Sequence, residues 1–165
     1  MYQRIFVAVD GSETSRHAFD SALALALARS ERATLRAFYA VENATLYYNV
    51  PGYDPSVLRA QLIEQGGDLT REFAQRMQDA GVKGDVLTGE ATTLADVSSL
   101  ILEAAKGYQA DLLVLGTHGR RGFKRLVLGS IAEQCLRQAS LPVLLIPSAA
   151  SHPPAAAAEP DNSET

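Results

Sequence analysis

Short apolar runs alternate with longer stretches of helical periodicity through the first 147 residues of the chain. An apolar run of four to eight residues between turn-forming residues is typical of a strand buried in a parallel sheet. Such runs predict five strands, at Ile5–Val9, Thr34–Val41, Val82–Leu87, Asp111–Leu115 and Pro142–Ile146. The stretches between them predict four helices, from Ser12 or Thr14 to about Ser30, Ser56 to about Ala80, Thr92 to Lys106 and Gly129 to about Ala139.

The second predicted helix has an apolar face and one weak point. Residues three or four positions apart form that face: Leu58, Leu62, Gly66, Leu69, Phe73, Met77 and Ala80. The Gly66-Gly67 pair weakens the helix by about 1 kcal/mol per glycine and permits a kink there. At the end of the third predicted helix, Gly107 stands where a C-terminal cap belongs.

The order of these elements predicts the architecture. Strand–helix–strand connections are right-handed and join parallel strands. We therefore expect an α/β fold, an open five-stranded parallel sheet in the order 3-2-1-4-5, built as a Rossmann-like sandwich. Ligands of such sheets bind beyond the carboxyl ends of the strands, where the strand order reverses. In this order, that point lies between the first and the fourth strand.

Residues 116–130, which follow the fourth strand, have the composition of a phosphate site. They include four glycines, which allow close approach of the backbone to a ligand and positive φ angles. They also include four cations, Arg120, Arg121, Lys124 and Arg125. The segment ends with Gly129-Ser130 at the start of a helix, whose free N–H groups and positive dipole end suit an anion. A polyphosphate fits this combination best.

Asp10 follows the first strand, at the same edge of the predicted sheet. Its carboxylate can accept hydrogen bonds from ribose hydroxyls or from the polar edge of a base. The Asp10-Gly11-Ser12 segment alone fits a simple turn with a helix cap equally well. Together, the two strand ends favour nucleotide binding.

Other kinds of site fit less well. The chain lacks a Walker A motif, and its first strand–helix turn lacks the dinucleotide fingerprint. No nucleophile elbow surrounds Ser130, which disfavours a hydrolytic triad with His118 and Asp10. The three histidines lack metal-site spacing, and the single cysteine, Cys135, falls on an apolar helix face as a buried, inert thiol. The short cation cluster is not part of a wider basic face, which disfavours nucleic acid.

Charge and composition limit the class of protein and indicate where the folded domain ends. The 165-residue chain has a formal net charge of −4, which excludes a globally basic nucleic-acid binder. From Ser148 onward no aliphatic residue is larger than alanine, so we expect a nucleotide-binding domain over residues 1–147 and a disordered acidic tail over 148–165. The apolar run Ile5–Val9 is too short for a signal peptide or a membrane span, so we expect a cytoplasmic protein.

Three stretches resemble the universal stress protein family, and together they cover residues 1–147. They are the opening IFVAVDGSE, the closing AEQCLRQASLPVLLIP, and Gly116-x-x-Gly119 followed by nine residues and Gly129-Ser130, which looks like the family's ATP-binding motif. The resemblance implies an ATP site, whose phosphates Mg²⁺ or Mn²⁺ can bridge. The positions that match its nucleotide contacts are Ala8, Val9, Asp10, Val41, Leu115, Gly116, His118, Gly119, Gly129, Ser130, Ile131 and Ala132.

Two classes of function are compatible with such a site. The preferred one is a regulator in the stress response, in which bound ATP shifts the conformation or the choice of protein partner. The alternative is a slow ATP-hydrolysing or phosphoryl-transferring enzyme. Asp10 and His118 are the plausible bases, but both have binding roles, so we assign no catalytic residue. A family member that has lost nucleotide binding is disfavoured, because every motif glycine and Ser130 are present.

The fifth predicted strand, Pro142–Ile146, suggests a second copy of the chain as a partner. It is short, apolar, uncharged and last in the fold, so we expect it at a sheet edge, where it would invite pairing. Antiparallel pairing with its copy about a two-fold axis would satisfy both edges. The sequence therefore predicts a homodimer, and the family resemblance implies the same arrangement.

Overall fold

The computed structural model describes residues 2–29, 32–42, 55–91, 96–117 and 128–147. The strands are β1 (Arg4–Val9), β2 (Thr34–Glu42), β3 (Gly84–Ala91), β4 (Leu112–Gly116) and β5 (Val143–Ile146). The helices in the described ranges are α1 (Glu13–Leu27), α2 (Pro55–Asp79), α3 (Asp96–Gly107) and α4 (Ser130–Gln138). All strand pairs are parallel, in the order β3-β2-β1-β4-β5, so the predicted fold is confirmed. The predicted tail lies outside the described residues.

Two hydrophobic layers cover the sheet, one on each face. Alternate residues of β1 enter opposite layers: Ile5 and Val7 enter the first, and Phe6 enters the second. Buried residues of α1 and α2 complete the first layer, and buried residues of α3 and α4 complete the second. Because the central strands are buried on both faces, they appear in the sequence as continuous apolar runs.

A set of stacked rings and ion pairs, which we call the α1–α2 clasp, joins the two helices of the first layer. The rings of Phe19 and Phe73 are fully buried, with their centroids 4.4 Å apart. Each ring lies near a guanidinium of the other helix, Arg16 over Phe73 and Arg76 over Phe19. Each arginine also pairs with a carboxylate of the opposite helix. The clasp comprises Arg16, Phe19, Asp20, Glu72, Phe73 and Arg76.

The helix α2 continues through Gly66-Gly67 without a break. A Cβ on Gly66 would lie 2.8 Å from Cε1 of Tyr39, so the glycine lets the helix lie directly against that buried ring. The predicted apolar face is buried at Gly66, Leu69, Phe73 and Met77. The side chains of Leu58 and Leu62, predicted on the same face, lie outside what the structure describes.

Several predicted boundaries are wrong, and α1, for example, ends at Leu27 rather than near Ser30. Two further errors lie at β3 and at the end of α3. β3 runs from Gly84 to Ala91, because it lies at the sheet edge, where exposed polar residues continue the strand beyond the apolar run. At the end of α3, the left-handed residue is Gln109, with a φ of 58°, while Gly107 is still helical. The Ala110 N–H closes this end on the carbonyl oxygen of Ala105 at 2.9 Å. Just beyond the helix, the Tyr108 hydroxyl donates to Thr34 Oγ1 at 2.6 Å.

Candidate functional site

The carboxyl ends of β1 and β4 meet where the strand order reverses. The pairing of these strands joins Val7 to Val114, and two residues further along come Val9 and Gly116. On its other side, β1 pairs with β2 through Val9 and Tyr39, and Val41 follows two residues later. The site residues predicted at the ends of these three strands therefore lie along one edge of the sheet.

Hydrogen bonds close a tight turn between Asp10 and Ser15. The Asp10 carboxylate accepts from the backbone N–H of Ser12 at 2.9 Å, and Ser12 Oγ caps α1 by accepting from the Ser15 N–H at 3.2 Å. The Ser15 hydroxyl donates to the Ser12 carbonyl oxygen at 2.9 Å and accepts from the Asp10 N–H at 3.3 Å. Gly11 has a φ of 81°, which a side chain would strain. The turn and helix cap considered for this segment are thus formed, with Asp10 half-buried at the sheet edge.

Gly116 ends β4 in close contact with the first turn of α1. A Cβ on Gly116 would lie 2.9 Å from Cγ2 of Thr14, 3.0 Å from its carbonyl carbon and 3.1 Å from its carbonyl oxygen. Neither Gly116 nor Gly129 adopts a positive φ. The prediction that these glycines are needed for positive φ angles is therefore wrong at both positions. At Gly116 the reason for glycine is close approach to Thr14.

The helix α4 begins beside the end of β4 without a side-chain cap. The Thr117 carbonyl oxygen accepts from the Gly129 N–H at 2.7 Å, and the Thr117 N–H donates to the Ile146 carbonyl oxygen at 2.9 Å. Gly129 is the N-cap and has no side chain that could bond the first N–H groups of the helix. The first hydrogen bond of the helix runs from the Glu133 N–H to the Gly129 carbonyl oxygen. The N–H groups of residues 130–132 therefore have no acceptor within the helix. Such groups suit an anion.

The predicted contacts differ in burial, which decides how each can meet a ligand. Three have buried side chains and would act through the backbone: Val9, Leu115 and Ala132. Four others are half-buried or exposed: Ala8, Val41, Ser130 and Ile131. The two predicted motif residues His118 and Gly119 lie outside the described residues, as do Arg120, Arg121, Lys124 and Arg125.

Sequence reasoning did not identify Thr14 or Thr117 as part of this edge. In the sequence, Thr14 was a candidate only for the start of α1. Its contact with Gly116 could not be predicted, because the two residues are far apart in the chain. Thr117 could have been found from its position directly after β4, where the backbone must turn toward α4.

Cys135 lies in the second hydrophobic layer, away from the Asp10 turn. Its side chain is fully buried, and burial raises the pKa of the thiol to about 11. The thiol is therefore protonated at neutral pH, as expected for an inert core residue. Within the described ranges, no group of three or more His, Cys, Asp or Glu residues could hold a metal ion, and no helix is long and apolar enough to cross a membrane.

Comparison with known proteins gives consistent matches. The family model described as "Universal stress protein family" matches residues 1–147. A universal stress protein of Methanocaldococcus jannaschii is 30% identical over 149 residues, which cover 88% of this chain and 82% of that protein. The crystal structure of a protein from this family from Burkholderia pseudomallei matches with a TM-score of 0.71 and 38% identity, over 88% of this chain and 96% of that one. The crystal structure of a universal stress protein in complex with cAMP matches with a TM-score of 0.59 and 25% identity, over 89% of this chain and 98% of that one.

Proposed function

The chain belongs to the universal stress protein family, and from this premise we propose that it binds ATP and acts as a nucleotide-dependent regulator in the stress response. The observation that carries the proposal is the start of α4, which has no side-chain cap and is held beside the end of β4 by the Gly129–Thr117 hydrogen bond. The relative crystallised with cAMP supports an adenine nucleotide as the ligand.

The proposed site divides into two arms on either side of the switch point. The first arm is the turn that carries Asp10, together with Val41 at the end of β2, and it would hold the ribose and the base. The second arm is Gly116 with the start of α4, whose N–H groups would bind the phosphates. Mg²⁺ or Mn²⁺ would enter with the nucleotide and be held chiefly by its phosphates.

The nucleotide-binding domain proposed here spans residues 1–147, and the tail predicted from the sequence over residues 148–165 lies outside the described residues. As a regulator, the domain would present different surfaces to a protein partner with and without ATP. A cytoplasmic location stays a prediction.

ATP should bind with a Kd in the micromolar range, about −8 kcal/mol. At about 100 times Kd, ATP should then stabilise the folded chain by about 2.7 kcal/mol. Gly129→Val should abolish this stabilisation, because a branched side chain would occupy the approach of the phosphates to the first N–H groups of α4. Thermal unfolding with and without millimolar ATP and Mg²⁺ measures both effects.

Gly107→Val is the matched control for this experiment. It makes the same exchange at an exposed glycine whose added Cβ would have no atom within 4 Å. It should leave the shift caused by ATP unchanged. A wild-type melting curve that does not move with ATP would contradict the proposed function.

We propose further that the chain forms a homodimer through β5. This strand lies at the sheet edge, and each of its four residues is still partly exposed. Its side chains alternate between the two hydrophobic layers, as Leu144 and Ile146 do on one face and Val143 and Leu145 on the other. An antiparallel copy would extend both layers across the two-fold axis and pair the open edge.

Light scattering at micromolar concentration should give about twice the chain mass of 17.7 kDa. Val143→Lys and Leu144→Lys should shift the protein toward the monomer, because a charge would enter the proposed joint layer. Leu87→Lys is the control, since it places the same charge at the opposite edge, where Leu87 is already 42% exposed. A wild-type protein with the mass of a single chain would show that the dimer proposal is wrong.

A further inference from the structure

We infer that Thr14 is a positioning residue of the nucleotide site, and that its methyl group fixes the spacing between the Asp10 arm and the Gly116 arm. This inference rests on the proposed function. It concerns a residue that no family motif quoted above includes.

Thr14 is the contact between the two arms. The residue is only 6% exposed. Its Cγ2, carbonyl carbon and carbonyl oxygen are the three atoms nearest to the position that a Cβ on Gly116 would occupy. The methyl group makes the closest of these contacts, at 2.9 Å from the position of a Cβ on Gly116. Removal of the methyl group would therefore leave a gap between the side chain at position 14 and the end of β4.

Hydrogen bonds close the turn around Thr14, so that a shift at Thr14 would be passed on to Asp10. The Asp10 carboxylate and the Asp10 N–H are both bonded within the segment that ends at Ser15. Thr14 lies inside this closed turn and has its side chain packed toward β4. Hydrogen bonds to the side chain of Thr14 are absent among the described residues, which leaves packing as its contribution there.

The second arm continues from the same contact. Gly116 is followed by Thr117, whose carbonyl oxygen holds the Gly129 N–H at the start of α4. A continuous path thus runs from the carboxylate of Asp10 through the methyl group of Thr14 to the N–H groups that would bind phosphate. A nucleotide that spans both arms requires the right distance between them, whereas a nucleoside uses the first arm alone.

The test measures Kd for ATP and for adenosine with wild type, Thr14→Ser and Thr14→Val. Thr14→Ser removes the methyl group and keeps the hydroxyl, and it should weaken ATP binding about tenfold, or about 1.4 kcal/mol. Its affinity for adenosine should stay close to that of wild type. Thr14→Val keeps the methyl group and removes the hydroxyl, so it should bind both ligands like wild type.

Each outcome decides the inference. Equal weakening of ATP and adenosine in Thr14→Ser would indicate a general loss of structure and would overturn it. ATP affinity that is unchanged in Thr14→Ser, or lost in Thr14→Val, would also overturn it, the latter in favour of a role for the hydroxyl. Unfolding curves without ligand check that each variant is folded. Absence of ATP binding by wild type would instead reject the proposed function.

Discussion

Phe73→Ala should lower the free energy of unfolding by about 3 to 5 kcal/mol. Phe73 is fully buried, its ring centroid lies 4.4 Å from that of Phe19, and Cζ of the Arg16 guanidinium lies 5.9 Å from the centroid of the Phe73 ring. The substitution removes the ring and leaves a cavity between α1 and α2. Urea unfolding of the two proteins, analysed with a common slope, measures the difference.

The ion pairs of the α1–α2 clasp provide the control for this prediction. In Arg76 and Asp20 the side chains are 35% and 49% exposed, so water screens their interaction. Exposed pairs contribute about 0 to 1 kcal/mol, and Asp20→Asn should therefore cost far less than Phe73→Ala. If the two variants were equally unstable, charge pairing rather than ring packing would hold the two helices together.

The α1–α2 clasp also matters for the proposed site, because it holds α2 against the turn that carries Asp10. Leu69 lies one turn before Phe73, and its Cδ1 would be 2.9 Å from a Cβ on Gly11. The position of α2 is thus part of what keeps the Asp10 turn in place. We expect substitutions in the clasp to weaken ATP binding in addition to lowering stability.

The architecture could be predicted from the sequence because its central strands are simple. β1 and β4 are buried on both faces, so they appear as uninterrupted apolar runs that end at Asp10 and Gly116. Their ends mark the switch point, and that placement is confirmed. β3 was predicted less well, since an edge strand with mostly exposed side chains has no apolar run that defines its limits.

The position of the candidate site in the sheet could be predicted more readily than the packing that shapes it. The residue types at the strand ends indicated a polyphosphate ligand, and the described residues of that set lie along one edge of the sheet. The reason for glycine at position 116 could not be read from the sequence, because it depends on the contact with Thr14. The cap at Gln109 was missed because the nearest glycine, Gly107, is still helical and the left-handed residue is not a glycine.

Gly84→Ala should lower the free energy of unfolding by about 2 to 3 kcal/mol, at the upper end of the usual cost of overpacking. A Cβ at this position would lie 2.1 Å from the carbonyl oxygen of Leu35 and 2.7 Å from Sδ of Met77. The first obstacle is backbone, in the strand that pairs with Gly84, so β3 would have to move away from β2. That movement would open the first hydrophobic layer at Met77, which is buried.

Two other glycines separate this steric effect from the effects of backbone conformation. Gly81 has a φ of 68° and Gly107 is helical, and a Cβ on either would have no atom within 4 Å. Gly81→Ala should therefore cost about 1 kcal/mol through its left-handed backbone alone, whereas Gly107→Ala should raise stability by about 0.5 to 1 kcal/mol. Urea unfolding of the three variants should rank them in the order Gly84→Ala, Gly81→Ala, Gly107→Ala, from least to most stable. A Gly84→Ala protein as stable as wild type would mean that β3 is free to shift, and that the close pairing of Leu35 with Gly84 does not fix the edge of the sheet.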